Sequence, residues 1–209
     1  MNKIEIFPGI WKFENVFDKS FDIINEIEKA VSKGECSWTK AQVGLEETDT
    51  EYRDCYDFKL SDLGKNHEVY KHVYESQKPY VDAYCDYYQI KMDFWEWTNV
   101  VKYGQGQYFK EHADHGWSYV STVSLVSYPN DDYIGGELAF PKLNIFEKPK
   151  AGDLYIFPST YIYSHVAMPV ENGTKYSIVT MLDYNDNTHN DEYRALVEKR
   201  LNDGKTKSL

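Results

Sequence analysis

His112-Ala113-Asp114, His165 and Lys175 are the residues whose types and spacing can do chemistry together. In an extended segment residues two apart project from one face, so His112 and Asp114 present an imidazole and a carboxylate side by side. That is half a metal site. The triplet by itself carries little weight, because the chain has a second copy, His189-Asn190-Asp191. That copy falls where a helix is expected to start, no histidine follows it, and polar residues favour helix N-termini on their own account. His165 distinguishes the first triplet. Two neutral imidazoles and one carboxylate on one face of an ion leave three coordination positions open, the arrangement that suits redox iron. Ten residues further on, Lys175 offers a cation. A dicarboxylate that chelates the iron through its 2-oxo acid end needs such a cation for its distant carboxylate.

Strands have to bring these residues together. From Asp93 onward the sequence turns to short runs rich in Val, Ile, Thr, Tyr, Phe and Trp, separated by Gly, Pro and Asn/Asp clusters. Strands are expected over Phe94–Tyr103, Tyr119–Tyr128, Gly136–Phe140, Asp153–Phe157, Tyr163–Met168 and Lys175–Tyr184. Lys175 then lies on the strand after that of His165, across a turn at Asn172-Gly173. Many short strands with turns between them point to antiparallel sheets closed as a sandwich or barrel, with the jelly roll the natural candidate. Before Asp93 the pattern is helical. Phe21, Ile24, Ile27 and Val31 recur at helical spacing, with Asp18 as expected cap and Gly34 as stop. A second helix is expected within Asn66 to Tyr88, where Pro79 should kink or divide it. A last amphipathic helix is expected from Thr188 to Leu201. The fold class is therefore mainly β with flanking helices, arranged as 1–92 helical support, a 93–184 jelly-roll core and a 185–209 C-terminal helix in one domain.

Several separate motifs then occur in order. Tyr103-x-x-Gly106-Gln107-x-Phe109-x-x-His112-x-Asp114 is followed by Tyr128-Pro129-Asn130 and Gly135-Gly136-Glu137-Leu138. Next come Pro149-x-Ala151-Gly152-Asp153-Leu154 and Phe157-Pro158-Ser159, and finally His165-x-x-x-Pro169-Val170-x-x-Gly173-x-Lys175-Tyr176-Ser177. Over Asp93 to Tyr184 this resembles the prolyl 4-hydroxylase-like branch of the Fe(II)/2-oxoglutarate-dependent oxygenases. The resemblance implies a double-stranded β-helix with Fe(II) on His112, Asp114 and His165. It also implies 2-oxoglutarate held by Lys175, Tyr103 and Tyr128, and O2 as co-substrate. The reaction it implies is hydroxylation of a protein or peptide side chain, with release of succinate and CO2. A phenol can donate a charge-assisted hydrogen bond to a carboxylate, which agrees with roles for both tyrosines.

Two departures concern substrate. Members that hydroxylate peptidyl proline usually carry a tryptophan six residues after the co-substrate cation, where this chain has Met181. They often carry an arginine after H-x-D, and Trp117 to Thr122 contains none. A small-molecule substrate is the alternative these departures open. A metal-holding jelly roll without catalysis and a non-redox cupin-type isomerase are further rivals, the second disfavoured because an isomerase needs no dicarboxylate clamp. His115, directly after Asp114, should face away from the metal, and Trp117 reads as a lid residue or a packing anchor.

Composition narrows the partners. The formal charge is −11 and basic residues form no stripe, so nucleic acid is not expected. Residues 1–17 mix charges into every apolar run, so neither a signal peptide nor a membrane span is expected. Three cysteines, Cys36, Cys55 and Cys85, form no C-x-x-C pair and fit reduced thiols in a cytoplasm. The sequence sets no oligomeric state.

Overall fold

The computed structural model describes residues 2–43, 48–92, 94–116 and 121–184, together with positions 195 and 199. In chain order the elements are β1 (Ile4–Phe7), β2 (Ile10–Phe13), α1 (Ile23–Ser32), β3 (Thr39–Lys40), β4 (Arg53–Asp54), β5 (Tyr56–Lys59) and α2 (Glu68–Tyr88). There follow β6 (Phe94–Tyr103), β7 (Tyr108–His112), β8 (Val123–Tyr128), β9 (Ile134–Gly135), β10 (Leu138–Phe140) and β11 (Ile145–Glu147). The last are β12 (Asp153–Pro158), β13 (His165–Ala167), β14 (Val170–Asn172) and β15 (Lys175–Asp183). The expected C-terminal helix, the His189 triplet and Trp117 lie outside the described residues, apart from positions 195 and 199.

Every strand pairing is antiparallel, as the turn-rich sequence requires. The major sheet runs β1-β2-β12-β8-β15-β6-β5-β3, the second β11-β10-β13-β7-β4, and β14 pairs with β9. This is the mainly β jelly-roll architecture expected; β6 keeps its expected bounds, β12 extends to Pro158, and β8, β10, β13 and β15 are shorter than expected. The N-terminal 92 residues are more than helical support, since they supply five strands, to both sheets. Their brevity and charge, as in Thr39–Lys40 and Arg53–Asp54, hide them from pattern reading. Lys175 also does not directly follow the strand of His165. β14 intervenes, and β15 belongs to the opposite sheet.

The central strands are buried on both faces, and period-2 alternation assigns each face a different task. Val123, Leu125, Val100, Ile178, Leu182, Leu154 and Ile156 join one apolar cluster with Ile23 and Ile27 of α1 and Val69, Val73, Val81 and Tyr84 of α2. The residues between them, including Val126, Tyr128, Val101, Tyr103, Lys175 and Ser177, face a cavity under the second sheet.

Both helices differ from expectation in instructive ways. α1 is capped by Asp22, whose Oδ1 accepts from the Asn25 amide at 3.1 Å, not by Asp18. Asp18 instead accepts from the Ser20 amide in a preceding turn, and Phe21 stacks on His72 outside the helix. α2 is not divided at Pro79. Its buried stripe, Val69, Val73, Gln77, Val81 and Tyr84, continues on both sides of the proline, so burial outweighs one lost hydrogen bond.

Gln77 is the polar member of that stripe and is fully buried. Its Nε2 donates to Ser127 Oγ and its Oε1 accepts from Thr180 Oγ1, each at 3.0 Å, which fixes the helix over β8 and β15. Replacing it leaves both hydroxyls short of a partner. Gln77→Ala is expected to destabilise by about 1–3 kcal/mol, read as a lower urea midpoint with unchanged slope.

Candidate functional site

β7 and β13 pair so that His112 stands opposite His165. Their register is irregular: His165↔His112 is followed by Ala167↔Phe109, three residues of β7 against two of β13. Such a bulge re-aims a side chain, and here it turns His112 to the same side as Phe109, on whose ring it stacks at 3.5 Å between centroids. Asp114 lies just beyond the strand end and is buried.

The three side chains converge. His112 Nε2 is 3.5 Å from Asp114 Oδ1, His165 Nε2 is 3.7 Å from Asp114 Oδ2, and the candidate ligand atoms all lie within 4.8 Å of one another. The other ring nitrogens are engaged elsewhere. His112 Nδ1 faces Lys110 O at 2.8 Å and His165 Nδ1 faces Tyr163 O at 3.3 Å. A backbone carbonyl only accepts, so each Nδ1 carries the proton and each Nε2 presents a lone pair inward. Burial, with His165 close by, pushes the His112 pKa down to about 3, so the imidazole is neutral as a ligand must be. One carboxylate and two imidazoles, pre-oriented around one point, fit a divalent iron.

The cavity beside these atoms has a volume of about 340 Å³. At its wall lies Lys175, the first residue of β15, paired with Tyr103 at the end of β6. Its ammonium sits 5.1 Å from the Tyr103 ring centroid and 5.3 Å from that of Tyr128, the last residue of β8. Lys175 is 1% exposed, and the described residues give it one hydrogen bond, to Gly136 O at 2.8 Å, and no ion pair. Burial, with Lys148 adding repulsion, lowers its pKa to about 7. A buried ammonium with unused donors beside two phenols is a receptor for a carboxylate. Burial likewise holds both phenols well above their ordinary pKa, so they remain donors.

Gly135 and Gly136 both adopt positive φ, at 72° and 67°. A Cβ on Gly136 would come within 3.0 Å of the Lys175 stem and the Tyr133 ring, so this turn shapes the cation site as well as ending a strand. Sequence reasoning missed Ser124, whose hydroxyl donates to Asp114 Oδ2 at 2.6 Å, and the cavity residues Gln42, Tyr52 and Arg53 from the N-terminal part of the chain. No motif marks them, because partners distant in sequence supply their role. His115 does turn away from the metal point, its Nδ1 bonded to Ser121 O at 2.7 Å.

Known proteins agree with this geometry. The model of the 2OG-Fe(II) oxygenase superfamily matches residues 98–183. Over these residues, less than half of the chain, it is similar to that superfamily. The matched stretch includes Tyr103, His112, Asp114, Tyr128, His165 and Lys175, and the superfamily's description names Fe(II) and 2-oxoglutarate. A protein of Acanthamoeba polyphaga mimivirus named "Putative prolyl 4-hydroxylase" is 31% identical, over 47% of this chain and 49% of that protein. The chain thus spans about half the length of the curated relative it matches. Among solved structures, the viral collagen prolyl hydroxylase of Paramecium Bursaria Chlorella virus-1, in a 2OG complex, superposes with TM-score 0.62 at 20% identity, over 83% of this chain and 95% of that one. The prolyl hydroxylase of Trichoplax adhaerens, in complex with a hypoxia inducible factor peptide, gives TM-score 0.70 at 16% identity, over 90% of this chain and 86% of that one. The prolyl 4-hydroxylase-like resemblance of the motifs and the jelly-roll fold are borne out.

The buried lysine makes the unliganded protein pH-sensitive. An unfolded lysine titrates near 10.5 and the folded one near 7, so between these values the unfolded chain binds more protons and stability rises with pH. Lys175→Met is expected to raise the melting temperature of the unliganded protein at pH 7. That gain should shrink steadily toward pH 10, as read by thermal melts across the range.

Proposed function

We propose that His112, Asp114 and His165 bind Fe(II), that Lys175, Tyr103 and Tyr128 hold 2-oxoglutarate, and that the chain is a dioxygenase hydroxylating a protein or peptide side chain, proline being the first choice. The carrying observation is the joint one: a His-Asp-His cluster and a buried ammonium, without an ion pair among the described residues, open onto one cavity. A metal-holding module or an isomerase has no use for the second feature. The peptide side of the reading is supported by the structural neighbours, a collagen prolyl hydroxylase and a prolyl hydroxylase bound to a peptide.

When bound, the iron supplies redox chemistry in which 2-oxoglutarate becomes succinate and CO2 while one oxygen atom enters a substrate C–H bond. The protein's own part is orientation and shielding. Lys110 O and Tyr163 O hold the imidazole protons on Nδ1, so that both Nε2 atoms stay available. Phe109 lies against His112, and Phe140 and Phe157 lie 5.8 and 4.9 Å from the His165 ring, which keeps water from that side. Lys175 anchors the far carboxylate, taking up a proton above pH 7 because the anion restores its basicity.

One observation favours a small-molecule substrate as the second reading. Met181 lines the cavity where peptide-hydroxylating relatives usually have tryptophan, and its Sδ lies 3.9 Å from Ser124 Oγ. A cytosolic setting and action of residues 1–209 as one domain belong to the same proposal. The three free cysteines support the first, and the N-terminal strands shared with both sheets support the second.

Anaerobic addition of Fe(II) and 2-oxoglutarate is expected to produce a metal-to-ligand charge-transfer absorption band, lost in His112→Ala and in Lys175→Met. A wild-type protein without the band would remove the assignment. Succinate formation across proline-containing peptides and free small molecules then separates the two substrate readings. 2-Oxoglutarate affinity is expected to weaken as pH rises above about 7, with proton uptake visible calorimetrically in buffers of different ionisation enthalpy.

A further inference from the structure

Behind the carboxylate of Asp114 lies a chain of three serines from separate stretches of sequence. Ser124 is on β8, Ser159 follows β12, and Ser121 precedes β8, and none is more than 1% exposed. Ser124 Oγ is 2.6 Å from Asp114 Oδ2, Ser159 Oγ is 2.7 Å from Ser124 Oγ, and Ser121 Oγ is 3.0 Å from Ser159 Oγ. The donor inventory fixes the direction. An ionised carboxylate only accepts, so Ser124 gives its one proton to Asp114, Ser159 donates to Ser124, and Ser121 donates to Ser159. The alternative acceptor for Ser121, Val123 O, is longer at 3.4 Å. Three O–H dipoles therefore point toward Oδ2 and polarise one another.

The main chain ties the same residues together. Ser159 N donates to Thr122 O and Ser159 O accepts from His115 N, each at 3.0 Å, while the His115 ring holds Ser121 O. The segment carrying Asp114 is thus clamped to the serines that reach its carboxylate. Buried positions beside paired strands normally take apolar side chains, and hydroxyls there cost desolvation unless every one is satisfied. All three are satisfied, and the chain they form ends on the one carboxylate of the metal cluster.

Carboxylates bind cations through one oxygen or both. With both oxygens engaged, Asp114 would close one of the positions that a co-substrate chelate and dioxygen need. Oδ1 is 3.5 Å from His112 Nε2 and Oδ2 is 3.7 Å from His165 Nε2, so both face the cluster, and what distinguishes them is that Oδ2 already carries the Ser124 hydrogen bond. We propose that Ser124, backed by Ser159 and Ser121, is the positioning residue that restricts Asp114 to coordination through Oδ1 and keeps that position open. The inference rests on the iron site proposed above.

Cobalt(II) titration tests it without turnover, because affinity and the d–d absorption of the bound ion report ligand number directly. Ser124→Ala is expected to lose about 10- to 100-fold in Co(II) affinity and to change the band's position and intensity. Ser124→Thr, which keeps the hydroxyl, should restore both, and Ser159→Ala, which removes only the second link, should show a smaller loss in the same direction. Melting temperatures of the metal-free variants verify folding, and Ser159→Ala carries the test if Ser124→Ala does not fold. Wild-type affinity and spectrum in the alanine variants overturn the proposal, as does a threonine variant that behaves like alanine. Absence of His112-dependent cobalt binding in the wild type overturns the iron site, and the inference with it.

Discussion

Strands β8, β15 and β6 lie in the middle of the major sheet, β8 buried throughout and β15 nearly so, and alternation along a strand does not permit both faces to be alike in position. One set of side chains must meet the helices and the other must line whatever lies under the second sheet. Here the helix-facing set is Val123, Leu125, Val100, Ile178 and Leu182, which is a core. The other set, Tyr103, Tyr128, Lys175 and Ser177 among them, is polar at the same depth. A one-residue slip in any of these strands would exchange the two sets, placing Lys175 against α2 and Ile178 in the cavity. The apolar face therefore fixes the register, and the register delivers the chemistry. Gln77 reinforces this from the helix side, since its bonds to Ser127 and Thr180 exist in one register only.

Holding a lysine, an aspartate and two histidines inside such a sheet opposes folding. The chain meets that cost unevenly. Asp114 receives Ser124, and the imidazoles receive backbone carbonyls. Among the described residues, Lys175 receives Gly136 O and the faces of two tyrosine rings. The incompletely compensated group is the one whose missing partner would be a small dicarboxylate. The lowered basicity of Lys175 follows from the same imbalance, because desolvation acts on it with too little counter-charge.

Oriented ligands around an open position are what non-haem iron chemistry requires, and the protein obtains them through local irregularities. The β7–β13 bulge brings Phe109 and His112 to one side. The Gly135-Gly136 turn, at positive φ, lets a carbonyl approach the Lys175 ammonium where any Cβ would crowd its stem. Each departure from regular structure coincides with a contact to the site, so regularity was yielded where geometry is needed.

Much of this was legible from residues 93–184 read as a line of text. Residue type and period determine which side chains are strands, which face is apolar and which polar groups are stranded on the inner face. Hence β6 is read with its true bounds, and His112, Asp114, His165 and Lys175 stand out by type and spacing, whereas Tyr103 and Tyr128 are implied only by the family resemblance. Three things were decided only by the tertiary structure. One was the place of Lys175, on a sheet opposite that of His165 with β14 between them. Another was the share of the N-terminal residues, whose two-residue strands β3 and β4 exist because longer strands offer them an edge. The third was the set of groups that hold the ligands, Ser124, Ser159, Gly136 O, Lys110 O and Tyr163 O. A hydroxyl or a carbonyl gains its role from what stands 3 Å away, and in a sheet closed on itself that neighbour can come from anywhere in the chain.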